Sequence, residues 1–249
     1  MSVDTLLPQI AEVLRNARAI AVLTGAGLSA ESGIPTFRDA QTGLWAQYRA
    51  EDLATPEAFE RNPQLVWDWY EMRREGVRAA QPNPGHFALA AMQVQAPACT
   101  LITQNVDGLL QRAGGRMVLE LHGNILRNTC FDDGCVVEAV LEGQRPPRCP
   151  QCGGMVRPDV VWFGEELPAD VLTHAIRAAK ECDVFLSIGT SALVHPAAQL
   201  PMSALDNGAT LIEVNRDPTP LSPSAHYSVR ALAGEFLPRL VKAAWPEAA

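Results

Sequence analysis

The sequence predicts an α/β fold: an open, mostly parallel sheet, with a helical insertion and a small cysteine-bearing module set into it. Three observations predict this. Short apolar runs at Ile20–Thr24, Cys99–Thr103, 117–121, Val184–Ile188 and 210–214 alternate with helical or loop segments, the pattern of a sheet buried on both faces. Each run is followed by a polar loop. The interval 124–157 carries four cysteines, several glycines and prolines and little periodicity, and reads as an inserted module.

Bulk properties bound the function. The 249 residues are 47% hydrophobic and 19% charged, so the chain is globular. Its 28 acidic against 20 basic residues give a net charge of -8, which disfavours nucleic acid and suits basic, lysine-bearing partners. No apolar run reaches membrane-spanning length, and the N-terminus has no signal-peptide core. A cytoplasmic location is expected, in which the six cysteines serve as metal ligands or core residues rather than disulfides.

In chain order, Leu6, Ile10, Val13 and Leu14 recur at helical spacing and predict a first helix. The strand at Ile20–Thr24 runs into Gly25, Ala26 and Gly27, and Ala30 completes a G-x-G-x-x-A pattern. Two glycines one residue apart let a backbone approach a pyrophosphate, and Ser29, Glu31 and Ser32 can open a helix facing the anion. A tight turn without a ligand fits these glycines equally well. Gly33 and Pro35 stop the helix at once, and a loop with Thr36, Phe37, Arg38 and Asp39 follows.

Residues 43–80 read as helical, with Thr55 before Pro56 and Asn62 before Pro63 as start signals. A turn at 83–85 leads into a helix from His86 to about Val94, and 160–163 is a shorter extended piece.

Four constellations carry chemistry. Cys130 and Cys135 enclose four residues, and Cys149 and Cys152 close a set suited to tetrahedral zinc. The alternative is four reduced structural cysteines, but cysteines in glycine-rich loops have no core to join. Cys99 and Cys182 adjoin apolar strands and are expected to be inert. Thr103, Gln104, Asn105 and Asp107 cluster at a strand end, where α/β sheets bind ligands; a polar turn before a helix is the plainer reading. His122 ends another strand and is a candidate general base. Gly189, Thr190 and Ser191, then Asn215 and Asp217, follow two further strands.

Taken together, GAGLSAESGIPTFR, TQNVD, LHG, the paired cysteines, VVWFGE, GTS and ALAGE resemble the sirtuin family, in matching order across nearly the whole chain. The resemblance implies a Rossmann-like NAD-binding domain with helices on both faces (1–42, 81–123 and 158–249). A helical insertion (43–80) and a zinc module (124–157) interrupt it. It implies removal of acyl groups from protein lysine, with NAD consumed, nicotinamide released and O-acyl-ADP-ribose formed. Gly25, Ala26 and Gly27 would cradle the pyrophosphate, Ala30, Glu31 and Thr36 would also bind the cofactor, and Phe37 and Arg38 would close over the ribose. Gln104 would bond the ribose, Asn105 would place the reactive conformer, Asp107 would hold the nicotinamide carboxamide, and His122 is the implied base. Gly189, Thr190, Ser191, Asn215, Asp217 and Ala233 would line the adenosine side. One structural zinc per chain is implied, although four residues between the first two cysteines departs from the commoner two.

The peptide would lie as an added strand between 161–165 and 191–195, touching Val161, Phe163, Gly164 and Val194. Tyr70 and Arg73 lie three apart on one helix face. By spacing alone they belong to a solvated face with Glu71, Arg74 and Glu75. The order Tyr-x-x-Arg after ATPEAF, with Ala54 as a small residue, is similar to the subgroup of sirtuins that remove succinyl and malonyl groups. Arg74, about 100° round the helix, is expected to be silent. The implied partners are acyl-lysine proteins or peptides, with a monomeric enzyme and neither nucleic acid nor membrane. Rival readings are protein ADP-ribosylation at the same site, a dehydrogenase and a nucleic-acid-binding zinc ribbon. The dehydrogenase fits poorly, because Asp39 and Glu51 lie in loop or helix rather than on the next strand.

Overall fold

The structure, a computed structural model, describes residues 2–35, 52–140 and 143–246. Six parallel strands form the main sheet: β1 (Ile20–Thr24), β2 (Cys99–Thr103), β3 (Leu119–Glu120), β6 (Val184–Ile188), β7 (Thr210–Asn215) and β8 (Tyr227–Arg230). Their order is β3-β2-β1-β6-β7-β8, so the chain builds outward from β1 on one side and from β6 on the other. The switch point lies between those two strands, where open sheets of this kind leave a crevice. Thr24 pairs with both Thr103 and Ile188, Thr103 with Glu120, and Ile188 with Val214. The carboxyl ends of five strands are therefore level along one edge.

Alternation along β1 feeds two cores. Ile20 and Val22 pack with α1 (Val3–Asn16), α5 (Pro84–Gln95) and α9 (Ala233–Ala244), while Ala21 and Leu23 pack with α7 (Ala169–Glu181) and α8 (Leu200–Asp206). Ser2 caps α1 by accepting from the Thr5 N–H, and the helix buries Leu6, Ile10, Ala11 and Leu14. Two short helices, α2 (Ala26–Ala30) and α6 (Leu109–Arg112), sit directly after β1 and after the 103–107 loop. Among the described residues, no helix is long and apolar enough to cross a membrane.

The described part of the insertion carries two helices. The caps at Thr55 and Asn62 open α3 (Pro56–Arg61) and α4 (Pro63–Ala79), each with proline in its first turn. Both helices pack against an antiparallel pair, β4 (Gly123–Cys130) and β5 (Val156–Val160), burying Phe59, Trp69, Tyr70, Ile125 and Trp162 together.

Three expectations need correction. The strand expected at 117–121 is only Leu119–Glu120, because Met117 adopts φ 48° and is 93% exposed. Of the extended piece expected at 160–163, only Val160 lies in a strand, as the last residue of β5, which pairs with β4 in a second sheet. Its sequence, VRPDV, has no apolar run because its buried arginine and proline occupy core positions. Arg74 is not on a solvated face. It is buried, and its guanidinium donates to Ile125 O (2.5 Å), Arg127 O (3.0 Å) and Asn128 Oδ1 (2.6 Å) while pairing with Glu71 (2.6 Å). These acceptors lie where the β4–β5 register shifts between Asn124 and Asn128, so the side chain satisfies carbonyls that the ladder leaves unpaired.

Replacing Arg74 with Met strands those carbonyls and should cost about 2 to 4 kcal/mol of folding stability. Urea unfolding of the two proteins measures it; a midpoint unchanged in the variant would contradict the buried clamp.

Candidate active site

At the switch point two turns meet backbone to backbone. Gly27 N–H donates to Gly189 O (2.8 Å) and Gly25 N–H to Ile188 O (3.0 Å). A Cβ on Gly27 would sit 2.7 Å from the Gly189 Cα, and one on Gly25 would sit 2.8 Å from Gly189 O. Gly189 adopts φ +60°, and a Cβ there would meet Leu28 N at 2.5 Å. Beyond whatever ligand the turns receive, these glycines are needed for the turns to touch at all.

Around this contact a polar network closes. Asn105 Nδ2 donates to Gly25 O and Ser29 Oγ, both at 3.0 Å. Gln104 Nε2 donates to Thr190 Oγ1 (2.9 Å), and Asn215 Nδ2 to Thr190 O (2.9 Å). Asp107 is 6% exposed; burial raises its pKa, opposed by bonds from Leu109 N–H and Ser29. His122 Nδ1 lies 2.9 Å from Gln104 O. A carbonyl only accepts, so Nδ1 carries the proton and Nε2 is left as the acceptor. Burial holds the His122 pKa below its ordinary value, which keeps the ring neutral and competent as a base.

One cavity of about 570 Å³ joins these groups to the acyl-recognition candidates. Ala26, Gln104, Asn105, Asp107 and His122 line it together with Ala54, Tyr70, Arg73, Val161, Phe163, Gly164 and Val194. Tyr70 is buried, and its oxygen accepts from the Trp162 indole N–H at 2.9 Å. Arg73 stacks over the Trp69 and Tyr70 rings, with its guanidinium carbon 4.7 and 5.5 Å from their centroids. Burial lowers its pKa, opposed by Tyr70 and Asp107, and the guanidinium keeps its charge. The cavity wall thus combines a base and amides with a phenol and a guanidinium.

Not every candidate lines it. Glu31 accepts from Gly234 N–H at 3.0 and 3.2 Å, joining the first turn to the start of α9 beside Ala233. Ala30, Ser191 and Asp217 are exposed, and Asp217 pairs with Arg216 at 3.2 Å. Thr36, Phe37, Arg38, Asp39 and Glu51 fall outside the described residues.

A match to the Sir2 family spans residues 25–196. The chain belongs to the Sir2 family. It is 49% identical over 235 residues to NAD-dependent protein deacylase 2 of Pyrobaculum aerophilum, covering 94% of each chain. It is 49% identical over 246 residues to NAD-dependent protein deacylase 1 of Pseudomonas aeruginosa, covering 95% of this chain and 98% of that one. A Sir2 homologue solved as its NAD complex superposes with a TM-score of 0.90 at 45% identity, over 97% of this chain and 94% of that one. A Sir2 protein solved with a p53 peptide and NAD gives 0.83 at 33% identity, over 94% and 96%.

The Sir2 chain's cysteine module provides a second centre. The sulfurs of Cys130 and Cys152 lie 3.4 Å apart and those of Cys135 and Cys149 3.7 Å apart, too long for disulfides of about 2.05 Å. Zn–S bonds of about 2.3 Å in a tetrahedron give S–S edges of about 3.8 Å, so the four thiols fit a structural zinc. Asp133, absent from the expected set, has a carboxylate oxygen within 4.8 Å of the Cys130, Cys149 and Cys152 sulfurs and accepts from Cys135 N–H. Burial raises the thiols of Cys99 and Cys182 to about 12 and about 11, which disfavours their thiolate forms.

Two buried polar residues escaped the sequence reading. Glu213 on β7 gathers Ser222, Ser228 and Arg230 and so fixes the loop carrying Asp217. His86 Nδ1 accepts from Asn83 N–H, so its Nε2–H points at Ser29 Oγ, 3.4 Å away. The local capping signal was legible in Asn83-Pro-Gly-His86; its contact with Ser29, 57 positions earlier, was not.

Burial pushes His86 down to about 4 from 6.5. The unfolded chain therefore takes up a proton below pH 6.5 that the folded chain refuses, and stability present above 6.5 is lost as pH falls toward 4. Between pH 7.5 and 5 the loss should be about 2 kcal/mol. A His86→Gln protein lacks this component, so the stability gap between the two should narrow by that amount on acidification. A gap independent of pH would contradict it.

Proposed function

We propose that the chain is an NAD-dependent protein lysine deacylase that favours acidic acyl groups such as succinyl and malonyl. The observation carrying this reading is that one cavity is lined both by His122, with its Nε2 left as an acceptor, and by the Tyr70–Arg73 pair. In this reading residues 1–42, 81–123 and 158–249 bind NAD, 43–80 carry the acyl pocket and 124–157 form the zinc module.

NAD, consumed as co-substrate, supplies the ADP-ribosyl acceptor for the acyl group and nicotinamide as leaving group. Asp107, with Ser29 donating to it, is suited to hold a carboxamide. Asn105, held against Gly25 O and Ser29, orients the reacting ribose. His122 takes the ribose hydroxyl proton at Nε2 while Gln104 O steadies the resulting imidazolium at Nδ1. The zinc holds the module and takes no part in chemistry, since four thiolates leave no open position. The substrate peptide lies between 161–165 and 191–195, with exposed Phe163, Leu193 and Val194 along that course; the peptide-bound relative supports this class of partner.

A desolvated Arg73 facing an acyl carboxylate sets the test. Arg73→Met should lower kcat/KM on a succinyl-lysine peptide about 30- to 5,000-fold and change the matched acetyl-lysine peptide far less. Tyr70→Phe should act in the same direction by a smaller amount. Arg78→Met, at an exposed position of α4, replaces Arg74 as the control. Equal losses on both peptides at Arg73 would assign it a structural role and remove the acidic preference.

A further inference from the structure

Resting on the acidic-acyl reading, a further positioning residue emerges from the hydrogen-bond polarity around Tyr70 in the cavity wall. Trp162 is buried beside Tyr70, and its indole N–H donates to the Tyr70 oxygen at 2.9 Å. An indole is a donor only, whereas a phenol can both donate and accept. Among the described residues, Trp162 is the group bonded to that oxygen. The phenol has therefore accepted its bond from the protein, and its own proton remains to be given elsewhere.

We propose that Trp162 makes the Tyr70 hydroxyl a committed donor to the acyl cavity, so that Tyr70 and Arg73 together present donors alone and select a carboxylate. Without the indole N–H, the phenol oxygen is free to turn and accept, from a water or from a guanidinium N–H, and this part of the cavity wall loses its single polarity. An acetyl group offers no acceptor there and gains nothing from the arrangement.

The indole can hold this role because it is fixed on every side. The Arg157 guanidinium carbon stacks 3.4 Å from the Trp162 ring centroid, and the Phe59 ring lies 5.3 Å away. The backbone N–H of Trp162 donates to Glu165 Oε2 (2.7 Å), and Glu165 grips Arg157 with both carboxylate oxygens. Arg157 in turn donates to Val160 O at 2.7 Å. Tilting the ring would displace the Arg157 guanidinium that this two-pronged ion pair holds against its face. Burial also raises the Tyr70 pKa, so the proton to be donated stays on the phenol.

The test compares succinyl- and acetyl-lysine peptides in Trp162→Phe and in a protein carrying 3-benzothienylalanine at position 162. The analogue replaces only the indole N–H by sulfur and preserves packing should the phenylalanine variant fold poorly. The succinyl-to-acetyl ratio of kcat/KM should fall about 3- to 10-fold in both. In a Tyr70→Phe background, the same changes at 162 should produce no further fall, since the group they orient is gone. A ratio unchanged by the analogue, or a fall that persists without the Tyr70 hydroxyl, overturns the role of Trp162. Wild type that prefers succinyl, loses the preference at Arg73→Met and keeps it with the analogue overturns that role alone. Wild type with no succinyl preference overturns the acidic-acyl reading and this role with it.

Discussion

Where β1 and β6 end, two turns approach so closely that neither has room for a side-chain carbon. Gly27 N–H bonds Gly189 O, and Cβ atoms on Gly25, Gly27 or Gly189 would lie within 2.5 to 2.8 Å of the opposing backbone. The rest of the site depends on that contact. It holds the first turn against Thr190, to which Gln104 and Asn215 attach, and exposes Gly25 O and Ser29 to the Asn105 amide. A larger residue in either turn would push apart the strand ends that carry these groups.

The second constraint joins the catalytic edge to the inserted elements. Val161 N–H donates to His122 O, and Phe163 N–H to Ala54 O, so the 161–163 stretch is bonded to the His122 loop and to Ala54 in the inserted segment together. Arg74 binds α4 to the irregular part of β4, and Arg157 with Glu165 fixes Trp162 against Tyr70. Two buried arginines thus hold the helical insertion and the β4–β5 pair in one orientation. The zinc-compatible module extends from that pair, which connects its integrity to the packing of Tyr70 and Trp162.

Much of this was legible in the sequence, and the limits follow from physics. Apolar runs revealed β1, β2, β6 and β7 because strands buried on both faces contain little else. Caps at Thr55 and Asn62 marked helix starts within a residue, since capping is local. The polar strands β4, β5 and β8 were missed: their placement rests on partners far away in the chain, such as Arg74 for Ile125 O and Asn128 Oδ1 of β4, 51 and 54 positions apart. Arg74 was misjudged by treating α4 as buried on one side. The helix lies between the acyl cavity and β4, so adjacent positions 73 and 74 both turn inward. The five strand-end loops fell at one edge as expected, because parallel order imposes it, but the links from His86 to Ser29 and Trp162 to Tyr70 appeared only in three dimensions.

The central claim is that this edge consumes NAD to move an acyl group from lysine to ADP-ribose, with His122 as base. The most direct measurement is mass spectrometry of the products formed from NAD and a succinyl-lysine peptide by wild type and His122→Ala. The account predicts one nicotinamide and one O-succinyl-ADP-ribose per lysine freed by wild type, and no O-succinyl-ADP-ribose from the folded variant. Nicotinamide release with ADP-ribose left on protein, or full turnover by His122→Ala, would contradict it.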